Sequence, residues 1–213
     1  MSKYSWVFWD LDGTLTDPRE GIVNSVAYAL SKMGRDVPAP SILNAFIGPP
    51  LLESFTTLTQ MNEAEAYEAI RLYRERFSTQ GLYENALLPG IPDLLKALKE
   101  DGRKLAVATN KSTPFAHAIL DHFHLTPYFS YISSVPLDQL TMTKKHVIDH
   151  ALQFFHPDAL DRVLMIGDHR HDICSARQCG IHSCAVLYGY GNHDELMACR
   201  PNFTAQTVND LYA

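Results

Sequence analysis

No apolar run in the 213-residue chain approaches the roughly 20 residues that a bilayer-spanning helix requires. The opening Met1-Ser2-Lys3 leads straight into a strand-like stretch rather than a signal peptide, so no membrane association and a cytoplasmic location are expected. Lys and Arg form no cluster that could track a phosphate backbone, and the formal net charge is −6, which argues against a nucleic acid polymer as partner. Cysteine is scarce. The four residues Cys174, Cys179, Cys184 and Cys199 contain no CxxC pair. A zinc site wants closer pairs and a disulfide framework belongs to short secreted chains, so all four read as small buried hydrophobes. His146 and His150 lie one helical turn apart, but with no Glu between them and no third ligand they read as a partly exposed helix face. Internal repeats and low-complexity segments are also lacking.

What remains is a chain with 46% hydrophobic residues, long enough to bury a substantial core. Strand-like runs occur at 4–9, 104–109, 131–135, 162–167 and 183–187, and helix-length segments at 92–101, 114–122, 143–155 and 171–179. This alternation predicts an α/β fold with a doubly wound, parallel, Rossmann-like sheet. More than ninety residues separate the first two strands, too many for one crossover helix. Asp17-Pro18-Arg19-Glu20 reads as an N-cap followed by a proline at the first helical position. Val23, Val26, Ala27 and Leu30 then mark one face before Gly34. Ala66, Ile70, Tyr73 and Phe77 form a second stripe closed by Gly81, and residues 46–50 read as a loop. The expected organisation is an α/β core of residues 1–15 and 85–213 with an all-helical cap domain inserted at 16–84.

Three strands end in polar residues suited to one reaction. The first ends in Asp10 and Asp12, the second in Thr109-Asn110-Lys111, and the fourth in Asp168 with Asp172 four residues later. In a parallel sheet these ends share one edge, where open α/β sheets keep their chemistry. Up to four carboxylates in one small space need neutralising, and a hard cation with oxygen ligands, Mg2+, fits best. Thr109 offers a hydroxyl, the backbone N–H groups after it point into the gap, and Lys144 or Lys145 supplies positive charge. That half of the pocket suits a phosphoryl group, and a carboxylate facing it suggests an aspartyl-phosphate intermediate.

The run Asp10-Leu11-Asp12-Gly13-Thr14-Leu15-Thr16, followed in order by Thr109, Lys144 and Gly167-Asp168 with Asp172, resembles the haloacid dehalogenase-like phosphatases over nearly the whole chain. An insert just after the first motif resembles their small helical cap. Ile47-Gly48-Pro49-Pro50 and Leu187-Tyr188-Gly189-Tyr190-Gly191 are similar to phosphatases of the phosphoglycolate phosphatase type. The resemblance implies Asp10 as nucleophile and magnesium ligand, and Asp12 as acid and base whose backbone carbonyl also meets the metal. It implies Thr109 and Lys144 as phosphoryl holders, with Asn110 and Gly48 beside the substrate, Asp168 as metal ligand, and Asp172 orienting the metal's water or the lysine. Dehalogenation is disfavoured, because members that displace halide lack the acid at the position of Asp12.

Two adjacent lysines, Lys144 and Lys145, compete for one role, with Lys144 favoured by its distance to Val147 and Ile148. The basic run His169-Arg170-His171 is either a solvated turn or a set of added anion contacts. Phe46, Arg71, Arg74 and Arg76 could meet substrate, although such residues more often form cap core and solvated face. The expected activity is magnesium-dependent hydrolysis of a small phosphorylated metabolite. Phosphoglycolate ranks first, with a nucleoside monophosphate (5′-nucleotidase type) or a sugar phosphate as alternatives. A phosphomutase and a non-enzymatic phosphoryl-binding regulator are the rivals, and a monomer or a homodimer is expected.

Overall fold

The computed structural model describes residues 3–212. Strand β1 (Trp6–Trp9) runs through the centre of a six-stranded sheet with β4 (Lys104–Ser112), β5 (Tyr131–Val135), β6 (Val163–Gly167), β7 (His182–Val186) and β8 (Phe203–Ala205). All pairings are parallel and the order is β5-β4-β1-β6-β7-β8. Both faces are covered, as a parallel sheet requires, so β1 is apolar throughout rather than alternating. Side chains of period two divide between the faces. Val7, Trp9, Leu105, Val107, Leu164 and Ile166 pack with helices α5 (Ile91–Glu100) and α6 (Thr113–His122). Phe8, Ala106, Ala108 and Met165 pack on α7 (Lys144–Phe155) and α8 (Arg170–Gln178). Burying each large side chain contributes about 1.5–3 kcal/mol. The expected doubly wound parallel sheet is therefore present.

Between β1 and β4 lie four helices: α1 (Arg19–Lys32), α2 (Pro40–Asn44), α3 (Leu51–Leu58) and α4 (Glu63–Arg76). They are bracketed by two-residue strands, β2 (Thr16–Asp17) and β3 (Ala86–Leu87), which pair antiparallel. Helix α1 starts one residue later than the sequence suggests. Pro18 takes the cap position, while the Asp17 carboxylate accepts from the Arg19 amide at 3.1 Å. Helix α4 begins with a reciprocal cap in which Asn62 accepts from the Glu65 amide and Glu65 from the Asn62 amide. It packs its Ala66, Ala69, Ile70 and Tyr73 face into the core shared with α1 and continues into a π-helical turn at Phe77–Gly81.

The cysteines require a correction. Cys174 and Cys199 form a disulfide, because α8 and the end of α9 (His193–Ala198) bring their Cα atoms to 5.3 Å, within bonding reach. Cys184 is a buried free thiol, as expected, and the half-buried Cys179 donates to Asp149. His146 and His150 lie exposed on α7. Among the described residues no helix is long and apolar enough to cross a membrane.

Candidate active site

The chain order reverses about β1, which has β4 on one side and β6 on the other, so the carboxyl ends of these three strands meet in one crevice. Asp10 follows β1 and donates its backbone N–H to Ile166 O at 2.9 Å. The loop then turns at Gly13, whose φ is +80°; a Cβ there would stand 2.3 Å from the Asp168 carboxylate, so only glycine fits. Thr14 Oγ1 donates to Asp168 Oδ1 at 3.1 Å and the Tyr190 amide to Asp168 Oδ2 at 2.8 Å. Asp172, in the first turn of α8, accepts from the His169 amide at 3.0 Å. One oxygen from each of Asp10, Asp168 and Asp172 lies within 4.8 Å of the others, and all three residues are buried.

Among the described residues, one lysine faces these three acids. Lys144, the first residue of α7, places Nζ 2.7 Å from Asp10 Oδ1, 2.9 Å from Asp172 Oδ1 and 3.0 Å from the Ala108 carbonyl. Lys145 instead turns outward to Asp149 at 2.5 Å, which resolves the alternative between them. Burial alone would depress the Lys144 ammonium, but Asp10 and Asp172 hold it above its ordinary value. Burial, reinforced by Asp10 and Asp172, pushes Asp168 up to about 8. Burial also raises Asp172 above the usual carboxylate range, against the pull of Lys144. The donors are all oxygen and the charge is under-compensated, which is the environment of a hard divalent cation.

Asp12 departs from the expected quartet. Its carboxylate turns away to the Lys111 ammonium at 2.7 Å, so three acids share the cluster and the fourth stands beside it. Burial raises its pKa although Lys111 opposes this. Lys111 belongs to the end of β4, which runs past the expected stop at Thr109 as far as Ser112 and loses register with β5 after Ala108. Such irregularities re-aim side chains beside active sites. Here Thr109 is buried with its hydroxyl accepting from the Lys111 amide at 3.2 Å, and the Asn110 side-chain amide is buried with neither O nor N partnered.

A cleft opens beside Asp12, Asn110 and Lys111, lined by Phe46, Tyr73 and Phe115 among others. Gly48 lines it with φ +104°, and a Cβ there would sit 3.3 Å from the His169 ring. Arg71 pairs with Glu68 and Glu75 on the solvent side, whereas Arg76 clamps Glu84 and Arg74 lines the cleft. Residues 169–171 are neither a solvated turn nor an extension of the anion site. His169 is largely buried, which pushes its pKa down to about 4, and it stacks on His171. Arg170 and His171 reach Glu53 of α3 at 3.2 and 3.5 Å, tying core to insert. Glu53 was not foreseen as part of this neighbourhood and carried no sequence signal, whereas Lys111 stood in the polar end of the second strand and Tyr190 in a glycine-flanked run, neither with a role assigned.

Residues 7–186 match the family described as haloacid dehalogenase-like hydrolase. The chain is 45% identical over 199 residues to a 5′-nucleotidase of Pseudomonas aeruginosa, spanning 93% of this chain and 90% of that one. It is 39% identical over 188 residues to tyrosine-protein kinase PtkA of Mycobacterium tuberculosis, spanning 88% of this chain and 64% of the other. The crystal structure of a predicted phosphatase from Clostridium acetobutylicum superimposes with a TM-score of 0.93 at 41% identity, over 98% of this chain and 96% of that one. The expected family is therefore found over most of the length, and the chain belongs to the haloacid dehalogenase-like hydrolases, as a phosphoric monoester hydrolase among them.

Proposed function

We propose that the protein is a magnesium-dependent phosphatase that cleaves a small phosphomonoester through a phospho-aspartate on Asp10, with residues 1–15 and 85–213 as catalytic core and 16–84 as cap. The observation that carries this reading is the buried cluster of Asp10, Asp168 and Asp172 with Lys144 as its one cationic partner among the described residues. The side chains of Asp10 and Asp168 and the backbone carbonyl of Asp12 hold the ion, and Asp172 fixes Lys144. Magnesium, when bound, neutralises charge on the phosphoryl oxygens.

Asp10 attacks phosphorus, forming its P–O bond as the bond to the leaving oxygen breaks. Asp12, kept protonatable by burial, gives that oxygen its proton. It then takes a proton from the water that attacks the phospho-aspartate, releasing phosphate and restoring Asp10. Lys144, the Thr109 hydroxyl and the unpartnered Asn110 amide meet the phosphoryl oxygens. Lys111 steadies the anion that Asp12 becomes between these two proton transfers.

For the leaving group, the aromatic walls of the cleft and the likeness to a 5′-nucleotidase support a nucleoside monophosphate over phosphoglycolate, a two-carbon acid that needs no such walls. The test is hydrolysis of p-nitrophenyl phosphate with and without magnesium, by wild type and Asp10→Asn. The variant folds normally by circular dichroism and releases no phosphate; full activity in it would refute the nucleophile. Phosphate release that outpaces transfer to a sugar or tyrosine hydroxyl separates this reading from a mutase or a kinase.

A further inference from the structure

Helix α4 carries three arginines, and their surroundings differ. Arg71 is paired with Glu68 at 2.7 Å and Glu75 at 3.5 Å, and Arg76 holds Glu84 through two bonds of 2.8 and 2.7 Å. Arg74 has no carboxylate partner among the described residues. Among the described residues its one hydrogen bond is a long contact of 3.5 Å from Nη2 to Ser112 Oγ, and its Nε is buried with no acceptor. Burial also lowers its pKa, the mark of a guanidinium taken out of water without compensation. The neighbouring acid, Asp12, is already committed to Lys111.

A desolvated, unpaired guanidinium is costly unless something else completes it. The space for that something is the cleft that Arg74 lines together with Asp12, Asn110, Phe46, Tyr73 and Phe115. We infer that Arg74 is a specificity-determining residue that grips the leaving group of the substrate through a two-pronged acceptor edge at the end remote from the scissile phosphate. The planar fork of arginine matches a carboxylate, or the carbonyl and ring nitrogen of a nucleobase. The aromatic residues that line the cleft favour the base, with its acceptor edge towards Arg74. This inference rests on the phosphomonoesterase reading and sharpens it: phosphate at Asp10 and Asn110, acceptor edge at Arg74.

The experiment measures kcat and KM with magnesium for wild type, Arg74→Ala and Arg74→Lys on uridine 5′-monophosphate, phosphoglycolate and p-nitrophenyl phosphate, the last having no acceptor edge of this kind. The expected result is that Arg74→Ala lowers kcat/KM for one acceptor-bearing substrate about 10- to 100-fold more than for the aryl ester, as loss of a charged hydrogen-bond partner predicts. The loss falls on KM. Arg74→Lys, which keeps the charge and loses the fork, recovers only part of it, and this excludes a merely structural role. A selective loss on the nucleotide identifies a base, and a selective loss on phosphoglycolate identifies a carboxylate. Equal effects on all three substrates, or wild-type turnover of the aryl ester but of neither acceptor-bearing one, overturn the inference and leave the phosphatase reading standing. Wild-type failure on all three overturns the phosphatase reading itself.

Discussion

Withdrawing divalent cations while raising the pH tests the electrostatics of the acidic crevice directly. Burial, reinforced by Asp10 and Asp172, pushes Asp168 from the ordinary 3.8 up to about 8 in the folded chain. Between those values the native state keeps a proton that the unfolded chain has lost, so stability falls as pH rises towards 8. His169 runs the other way: its folded pKa of about 4 lies below 6.5, so its contribution changes only below pH 6.5. The window from about pH 6.5 to about pH 8 therefore excludes His169, and at about 1.36 kcal/mol per pH unit, flattening near its pKa, the Asp168 share of the loss is about 1.5–2 kcal/mol. For a chain of this length that is a fall in Tm of about 4–7 °C. Thermal unfolding followed by circular dichroism in EDTA measures it. Added magnesium binds the deprotonated cluster and so raises Tm more at the alkaline end than at the acidic end. Asp168→Asn removes both the slope and the magnesium difference. A metal-free Tm that is flat or rising across the window, with an equal magnesium effect at both ends, refutes the reasoning.

Lys144→Ala leaves buried carboxylates without their cation and costs about 3–5 kcal/mol in urea unfolding, whereas Lys145→Ala, which breaks a half-exposed pair, changes stability by about 0.5 kcal/mol or less; equal losses would contradict the assignment. Lys111→Met removes the positive charge that lowers Asp12, so the pKa of the acid rises further and the alkaline limb of the kcat/KM profile moves up by about one pH unit. A limb that stays put or moves down would show that Asp12 is not the proton donor.

The long β-branched and apolar runs made the central strands legible, because a strand buried on both faces has few other uses for such a sequence. The first motif was legible too, since Asp10, Gly13 and Asp168 meet through backbone geometry that the strand-turn pattern implies. Shorter features were not. Strands β2, β3 and β8 hold two or three residues each, below the length at which periodicity says anything. The disulfide joins residues 25 apart, and spacing alone does not reveal that two helix ends converge. Arg71, Arg74 and Arg76 look alike in sequence; only the approach of Glu84 to Arg76 and of the cleft to Arg74 separates them.

The loop after β7 joins the acidic cluster to the insert through hydrogen bonds. Tyr190 donates its amide to Asp168 and its hydroxyl to Asp17 in β2, while the Tyr188 hydroxyl donates to the Thr14 carbonyl at 3.1 Å. The acidic cluster and the base of the insert thus share one hydrogen-bonded frame. The opposite attachment, from Arg170 and His171 to Glu53, consists of partly exposed ion pairs, each worth less than about 1 kcal/mol. The Glu53 contacts are therefore the weaker of the two attachments between the helices and the strand ends.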